Sequence, residues 1–253
     1  MPEKSEDIYS TLHDGIGEIV LNRPASHNAV SREMWLAIPD LMKDLQKQSA
    51  ELIVLKGAGR SFAAGADITE LQELDDLDSA QKNWSAIANA LDFIYRHELP
   101  VVAAIDGACL GGGCLLACAC DLRYASDRSS FSVPIAKLGI VLDDANLGRL
   151  ASLVGVSRAK ELIFRARKIS ASEALNWGLI TDLFPVSEFD SAVAKVLAEI
   201  KANSPASIKE AKGSFARFLD FMQDPLNQEA VVRSYLLPDS QRRIQRALSK
   251  EKE

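Results

Sequence analysis

The run PVVAAIDGACLGGGCLLACACDLR, from Pro100 to Arg123, carries the strongest fold signal in the chain. Within it, Val101–Ile105 is a short apolar run that is typical of a buried strand. A turn of small residues follows, and Gly111–Cys120 then predicts a helix rich in glycine, alanine and cysteine. A second strand is predicted at Leu122–Ala125. This order of strand, turn, helix and strand indicates parallel β-α-β units in an α/β fold.

The N-terminal side repeats the alternation. Ile8–Leu12 and Ile16–Leu21 predict two strands that are joined by a tight turn. Ser31 is placed to cap a helix that ends near Gln48, and Leu52–Lys56 predicts a further buried strand. These elements extend the α/β pattern almost to the start of the chain.

The C-terminal side has a different character. After about Asp144–Ala145, helical periodicity dominates to the end, interrupted by one strand-like piece, Ile180–Phe184. We therefore expect a core over residues 1–190 and a helical region over residues 191–253. The paired apolar stripes of that last region suit packing against partner subunits.

The bulk composition bounds the class of partner. Of 253 residues, 47% are hydrophobic and 25% are charged, as in ordinary globular proteins. The formal net charge of −6 argues against a nucleic-acid or membrane partner. No apolar run reaches the roughly 20 residues that span a bilayer, and the first residues lack the apolar segment of a secretory signal. The cytoplasm is the expected compartment.

Four cysteines fall within twelve positions, at Cys109, Cys114, Cys118 and Cys120. Three of them lie on one predicted helix, and no histidine lies nearby to complete a set of metal ligands. We therefore expect small buried side chains, with neither a disulfide framework nor a metal site.

Two turns of small residues have the right chemistry for a site. At Gly111–Gly113 the free N–H groups of a starting helix, together with the helix dipole, suit a developing oxyanion. An N–H group in the Ala64–Ala66 turn would complete a hole with two donors. Taken alone, both turns are explained as readily by close backbone packing. The GxGxxG, P-loop and GxSxG motifs do not occur in the sequence.

Four separate motifs follow one another along the chain. They are LNRPASHNAVSREM (Leu21–Met34), SFAAGAD (Ser61–Asp67), GACLGGGCLLACACDLR (Gly107–Arg123) and ISASEALNWGLITDLFP (Ile169–Pro185). In this order they resemble the crotonase (enoyl-CoA hydratase/isomerase) superfamily, and the likeness covers nearly the whole chain. The resemblance implies a spiral β-β-α superhelix core with a helical C-terminal trimerisation region, and a homotrimer or a hexamer made of two trimers. It also implies an acyl-CoA thioester substrate, with coenzyme A as part of the substrate and no separate cofactor.

The resemblance also assigns roles to residues. The backbone N–H groups of Ala66 and Gly112 are the implied oxyanion donors. The family holds the adenine and pantetheine of CoA at the positions of Ser26, His27, Ala64, Asp67 and Ile68. His27 is expected near the CoA phosphates, and a solvated loop histidine is the alternative.

Two positions depart from the family pattern. Hydratases of this family carry two glutamates, and here Leu115 and Ile135 occupy their places. Paired carboxylates activate one water and move one proton, whereas an aliphatic side chain can do neither. The sequence therefore argues against ordinary hydration, and the two side chains would keep water away from the substrate.

Asp143 falls where dienoyl-CoA isomerases, and the ring-opening epoxide/oxepin-CoA isomerase of phenylacetate breakdown, place a catalytic aspartate. A single carboxylate can run a 1,3-proton shift, because it can take a proton from one carbon and return it to another. Two alternatives stay open. Asp143 can instead cap the helix that begins near Ala145, and the adjacent Asp144 is a candidate for either role.

The favoured function is an enoyl-CoA or dienoyl-CoA isomerase with Asp143 as its acid–base group. A second hypothesis is another crotonase chemistry: residual hydration, thioester hydrolysis or dehalogenation. A third is a non-catalytic acyl-CoA binding protein, which would keep Ala66 and Gly112 but lack a competent base.

Overall fold

The computed structural model describes residues 7–220 and 228–250, and they form two sheets. The larger sheet has the strand order β1 (Ile8–His13), β2 (Ile16–Leu21), β3 (Leu52–Gly57), β5 (Val101–Ile105), β7 (Leu122–Ser126) and β10 (Asp182–Phe184). The smaller sheet has the order β4 (Ser61–Ala63), β6 (Ala108–Leu110), β8 (Ser130–Ser132) and β9 (Ile169–Ser170). The pairs β1–β2 and β8–β9 are antiparallel, and the other neighbours run parallel.

The described residues also form α-helices that surround the two sheets. They are α1 (Arg32–Lys47), α2 (Ile68–Gln72), α3 (Leu77–Arg96), α4 (Gly112–Ala119), α5 (Ile135–Leu138), α6 (Asp144–Arg165), α7 (Ala171–Asn176), α8 (Phe189–Lys201), α9 (Pro205–Asp220), α10 (Gln228–Leu236) and α11 (Pro238–Lys250). A short 3₁₀ turn, Pro24–Ser26, precedes α1.

The chain advances as a spiral of similar turns. Each turn places one strand in the larger sheet, one short strand in the smaller sheet and then a helix. The first such turn is β3, β4 and α3, the second is β5, β6 and α4, and the third is β7, β8 and α6. This repeat confirms the predicted α/β fold with a β-β-α spiral core.

Local sequence explains the first elements. Asp14 and Gly15 have φ angles of 47° and 72°, which suit a two-residue turn with the twist that paired strands require. Ser31 caps α1, because its side chain accepts a hydrogen bond from the Met34 N–H at 3.3 Å. The predicted hairpin and the predicted cap are both confirmed.

The larger sheet is covered on both faces. Ile53 lies on the face that packs against α1, α3 and α4, and Trp35 of α1 joins the same cluster. Val102 lies on the opposite face, in a hydrophobic cluster that includes Val193 of α8. Strand β5 is buried along its whole length, as expected for a central parallel strand. A third hydrophobic cluster joins α2 and α3 to α10 and α11.

Several boundaries differ from the sequence prediction. The helix expected at Gly111–Cys120 runs from Gly112 to Ala119, and Cys120 is its C-cap. The helix expected near Ala145 begins one residue earlier, at Asp144. The strand-like piece at residues 180–184 is reduced to β10. The strands of the smaller sheet and α2 are too short to give a periodic signal, so the sequence did not predict them.

All four cysteines are free and buried, which confirms the expectation of small core side chains. Cys114 and Cys118 lie inside α4, in which every residue from Gly113 to Ala119 is buried. Burial contributes to raising the pKa of the Cys120 thiol to about 12, so this group stays protonated. Within the two described ranges, no helix has both the length and the apolar character that a bilayer crossing requires.

Candidate active site

A cavity of about 120 Å³ opens where the smaller sheet meets the start of α4; we call it the inner cavity. Its lining includes the turn after β4 and residues of α2 through α6 and of α10. Among the lining residues are Ala66, Trp84, Gly112, Leu115, Ile135, Asp143, Asn146 and Tyr235. The fold thus brings three predicted site residues, Ala66, Gly112 and Asp143, to one space.

The Ala66 N–H is left without a partner by the way its turn is paired. Val30 forms a parallel bridge with Ala66, in which the Val30 N–H donates to the Gly65 carbonyl at 2.8 Å. The Asp67 N–H donates to the Val30 carbonyl at 3.1 Å. In such a bridge the N–H of the central residue points away from the partner strand. Ala66 therefore keeps a free donor at the inner cavity, among the described contacts.

The Gly112 N–H is free for a different reason. Gly112 is the first residue of α4, and the first N–H groups of a helix have no carbonyl one turn before them. The preceding Gly111 N–H donates to the Ser132 carbonyl at 2.8 Å, which holds the start of the helix against β8. The positive end of the helix dipole adds to the attraction for a developing negative charge.

The two free donors converge because glycines let the backbones touch. A Cβ atom placed on Gly112 would lie only 3.1 Å from the Ala66 nitrogen and 3.3 Å from a ring carbon of Trp35. Gly65 has a φ of 121°, which side chains disfavour, and this angle turns the chain toward α4. The geometry suits one oxygen atom that accepts two hydrogen bonds.

Asp143 is buried, lines the inner cavity and is the N-cap of α6. Its Oδ1 accepts from the Asn146 backbone N–H at 2.8 Å, and its Oδ2 accepts from the Asn146 side-chain Nδ2 at 2.8 Å. A carboxylate has about four acceptor sites, so capacity remains for a proton. Capping and lining the cavity are therefore compatible. The alternative that Asp144 is the cap is wrong, and Asp144 does not line the cavity.

The hydrogen bonds that begin at Asp143 and Asn146 continue to a buried arginine, Arg149. Arg149 Nη1 donates to Asn146 Oδ1 at 3.2 Å, and Nη2 donates to Asp92 Oδ1 at 2.9 Å. The guanidinium also lies over the Tyr95 ring, 4.6 Å from its centroid. Burial lowers the pKa of Arg149 from its ordinary value, and the charges of Asp92 and Asp143 oppose that effect.

Most of the remaining wall of the inner cavity is apolar. Leu115 and Ile135 both line it, at the positions where a hydratase would carry glutamates. Trp84 of α3 contributes an indole ring, and Tyr235 of α10 contributes a buried phenol. Burial, reinforced by the charge of Asp143, raises the pKa of Tyr235 well above its ordinary value, so the phenol is neutral. Of the described lining residues, Asp143 is the only carboxylate.

A second space of about 470 Å³ adjoins the first; we call it the outer cavity. All five residues predicted to hold CoA line it, namely Ser26, His27, Ala64, Asp67 and Ile68. Ala64, Ala66 and Ile68 line both cavities, so the two spaces share a wall. A ligand that follows this wall can extend from the outer cavity to the free N–H groups.

Arg23 and Asp67 shape the floor of the outer cavity. Arg23 Nη1 donates to Asp67 Oδ2 and to the Ala29 carbonyl, each at 2.8 Å. Asp67 caps α2 through the Thr69 N–H. Burial alone would raise the pKa of Asp67, but hydrogen bonds from Thr69 and Arg23 outweigh it and hold the pKa below its ordinary value. The carboxylate of Asp67 is therefore occupied in building the wall.

Ser26 and His27 lie at the exposed rim of the outer cavity. His27 adopts a left-handed backbone, with φ of 51°, and ends the 3₁₀ turn. Its Nδ1 lies 3.2 Å from Ser61 Oγ, which orients the ring. His27 is thus an exposed loop residue that also lines the outer cavity, and its contact with CoA stays a prediction.

Four residues that line a cavity or contact a lining residue were not predicted from the sequence. They are Asn146, Arg149, Tyr235 and Leu248. The signal for Asn146 was present, because a cap at Asp143 places the third helical residue against it. Tyr235 and Leu248 belong to α10 and α11, which fold back onto α2, α3 and α5. A contact between elements that lie so far apart along the chain cannot be predicted from the local sequence pattern.

Comparisons with known proteins agree with this geometry. The chain matches the sequence model of the family Enoyl-CoA hydratase/isomerase over residues 11–252. It is 33% identical to the peroxisomal Delta(3,5)-Delta(2,4)-dienoyl-CoA isomerase of Arabidopsis thaliana, over 84% of this chain and 81% of that one. It is 34% identical to the short-chain-enoyl-CoA hydratase of Clostridium acetobutylicum, over 80% of this chain and 78% of that one.

A solved structure supports the same relationship. An enoyl-CoA hydratase/carnithine racemase from Magnetospirillum magneticum superposes with a TM-score of 0.81 at 31% identity. The match covers 85% of this chain and 81% of that chain. The likeness therefore extends over most of the chain.

Proposed function

Because this chain belongs to the enoyl-CoA hydratase/isomerase family, we propose that it isomerises an enoyl-CoA or dienoyl-CoA thioester, with Asp143 as its single acid–base group. One observation carries the proposal. A lone carboxylate and two free backbone donors line the same, mostly apolar cavity, within the described lining. Such a site can move a proton on an acyl chain, but it offers no second carboxylate to activate water.

The mechanism follows from these positions. The thioester oxygen accepts hydrogen bonds from the N–H groups of Ala66 and Gly112, which stabilise the negative charge as the enolate forms. Asp143 removes a proton from the carbon at one end of the allylic system, and the electron pair delocalises into the dienolate. The resulting carboxylic acid then returns a proton to the other end. The double bond moves, and Asp143 regains its charge.

The apolar wall supports isomerisation over hydration. Leu115 and Ile135 can neither bind nor deprotonate a water molecule, and they occupy the space beside the acyl chain. A dry site also protects the dienolate from side reactions. The relatives include both an isomerase and a hydratase at similar identity, so the choice rests on these two side chains and Asp143.

We propose that CoA occupies the outer cavity. Its pantetheine arm would pass along Ala64 and Ile68, which line both cavities, and its phosphates would lie near the rim at Ser26 and His27. Leu248 of α11 lines the outer cavity too, so the C-terminal helix would cover the bound ligand. Assembly into a homotrimer or hexamer and a cytoplasmic location stay predictions.

Product analysis in deuterated water tests the proposal. The protein is incubated with 3-enoyl-CoA, 2-enoyl-CoA and 3,5-dienoyl-CoA, and products are followed by mass and retention time. We expect a product that is isomeric with its substrate apart from solvent deuterium. Asp143→Asn should lower the rate by about 100-fold or more, because general acid–base catalysis is lost. Asparagine is as good a helix cap as aspartate, so the fold should persist.

Asp144→Asn is the matched control, since it removes the neighbouring carboxylate and leaves Asp143 in place. It should retain isomerase activity. Addition of one water to the substrate would contradict the proposal and favour a hydratase. Tight binding of acyl-CoA without turnover across the substrates would favour a non-catalytic binding protein.

A further inference from the structure

A chain of hydrogen bonds leads from the inner cavity to the surface of α3. Asn146 Nδ2 donates to Asp143 Oδ2 at 2.8 Å, and Asn146 Oδ1 accepts from Arg149 Nη1 at 3.2 Å. Arg149 Nη2 in turn donates to Asp92 Oδ1 at 2.9 Å. Asp92 is partly exposed, and it also pairs with Arg96. Two side chains therefore connect the Asp143 carboxylate with an ion pair at the surface.

The guanidinium of Arg149 determines which way the Asn146 amide points. An arginine can only donate hydrogen bonds, so the atom of Asn146 that faces it must be the oxygen. The amide nitrogen then has to face Asp143, where it donates to the carboxylate. Without the guanidinium, the amide could turn over and present its oxygen to the carboxylate, which would repel it.

Arg149 differs from a buried arginine whose role is structural. Arg123 donates to backbone carbonyl oxygens, those of Ala117, Cys120 and Leu179. The Arg149 side chain is 2% exposed, and its Nε has no acceptor among the described residues. A buried cation with an unsatisfied donor is costly, so stability alone explains Arg149 poorly.

We propose that Arg149 is a positioning residue: through Asn146, it holds the Asp143 carboxylate in one orientation toward the inner cavity. This proposal rests on the proposed function, in which Asp143 moves the proton. Two other titratable groups lie near the carboxylate, namely Asp144 beside it and Tyr235 from α10. The first is acidic and the second is neutral, so Arg149 supplies the compensating positive charge.

Arg149→Lys and Arg149→Ala test the proposal. We expect kcat for isomerisation to fall by about 10- to 100-fold, since a small displacement of a catalytic group has an effect of this size. The dissociation constant of a saturated acyl-CoA should not change, because Arg149 lines neither the inner nor the outer cavity.

Chemical rescue gives a second readout. Arg149 also lines a separate cavity of about 500 Å³ that α4, α6 and α9 border. A guanidinium ion is small enough to enter this space when the side chain is removed. Guanidinium chloride at tens of millimolar should partly restore the kcat of Arg149→Ala, whereas sodium chloride at the same concentration should not.

Arg123→Lys is the matched control, and it should lower the melting temperature without lowering kcat for isomerisation. If both Arg149 variants lose thermal stability yet keep the wild-type kcat, and guanidinium has no effect on Arg149→Ala, Arg149 is structural and the proposal is wrong. An inactive Asp143→Asn beside unaffected Arg149 variants would overturn the positioning role alone. If Asp143→Asn keeps isomerase activity, the proposed function fails and the positioning role fails with it.

Discussion

Gly112 occupies the point at which two backbones touch, and its missing side chain lets two N–H groups share one cavity. The nearest obstacles to a Cβ atom are the Ala66 nitrogen, at 3.1 Å, and the indole of Trp35, at 3.3 Å. Trp35 is almost fully buried, and the bridge to Val30 holds Ala66. Neither neighbour can move without disturbing the core, so the strain of an added methyl group would fall on the donor pair.

Gly112→Ala should therefore impair catalysis more than folding. We expect kcat to fall by about 100-fold, because misplacing one oxyanion donor removes stabilisation that is specific to the transition state. Isomerisation kinetics under saturating acyl-CoA measure this loss, and a thermal melt measures the fold.

Gly148→Ala is the matched control for that variant. Gly148 lies inside α6, and a Cβ atom there would meet nothing within 4 Å. Alanine stabilises a helix interior by about 1 kcal/mol over glycine, so the melting temperature should rise while kcat stays the same. Equal activity losses in the two variants would rule out the steric explanation for Gly112.

Among the helices and strands, the length of an element decided whether the sequence pattern could predict it. Strand β5 is five buried apolar residues, and α1 has a cap at Ser31 and a regular apolar face, so local rules identify both. Strands β4 and β8 have three residues each, and their state depends on pairing with β6. The Arg149–Asp92 contact and the return of α10 over the site depend on tertiary packing, which a single sequence does not encode locally.

The buried ammonium group of Lys212 links helix α9 to the core. Lys212 donates to Asp121 Oδ2 at 2.7 Å and to the Leu99 carbonyl at 2.9 Å. The Lys212 side chain is buried, whereas Asp121 keeps some exposure. Asp121 also accepts from the Val101 N–H at 2.7 Å, so the pair links α9 to the start of β5.

Lys212→Met should destabilise the protein by about 3 kcal/mol, because it leaves a largely buried carboxylate without its partner. Urea denaturation measures the change in the free energy of unfolding. Lys209→Met on the same helix is the control, since Lys209 pairs with Glu98 in an exposed ion pair. That change should cost no more than about 1 kcal/mol. Equal decreases in the free energy of unfolding for Lys212→Met and Lys209→Met would show that the burial of Lys212 does not contribute to stability.

For the whole molecule, the response to acid depends on a histidine that is kept neutral. His97 ends α3, and its Nδ1 accepts from the Leu99 N–H at 3.2 Å. It is 5% exposed, and burial, followed by the nearby charge of Lys212, lowers its pKa to about 4. An unfolded chain takes up a proton at His97 near pH 6.5, whereas the folded protein does not. The unfolded state therefore binds more protons between pH 6.5 and 4, and acid favours it.

His97→Asn removes this proton uptake while keeping an acceptor for the Leu99 N–H. In the native sequence, the contribution of His97 is intact above about pH 6.5 and lost progressively toward pH 4, by about 3 kcal/mol in all. The free energy of unfolding of the variant should fall less over the same range, as measured by urea denaturation at each pH. Carboxylates titrate equally in both proteins, so the difference between the two curves isolates His97. His13→Asn, at an exposed position, should follow the native curve. Parallel curves for His97→Asn and the native protein would mean that His97 accepts its proton in the folded state.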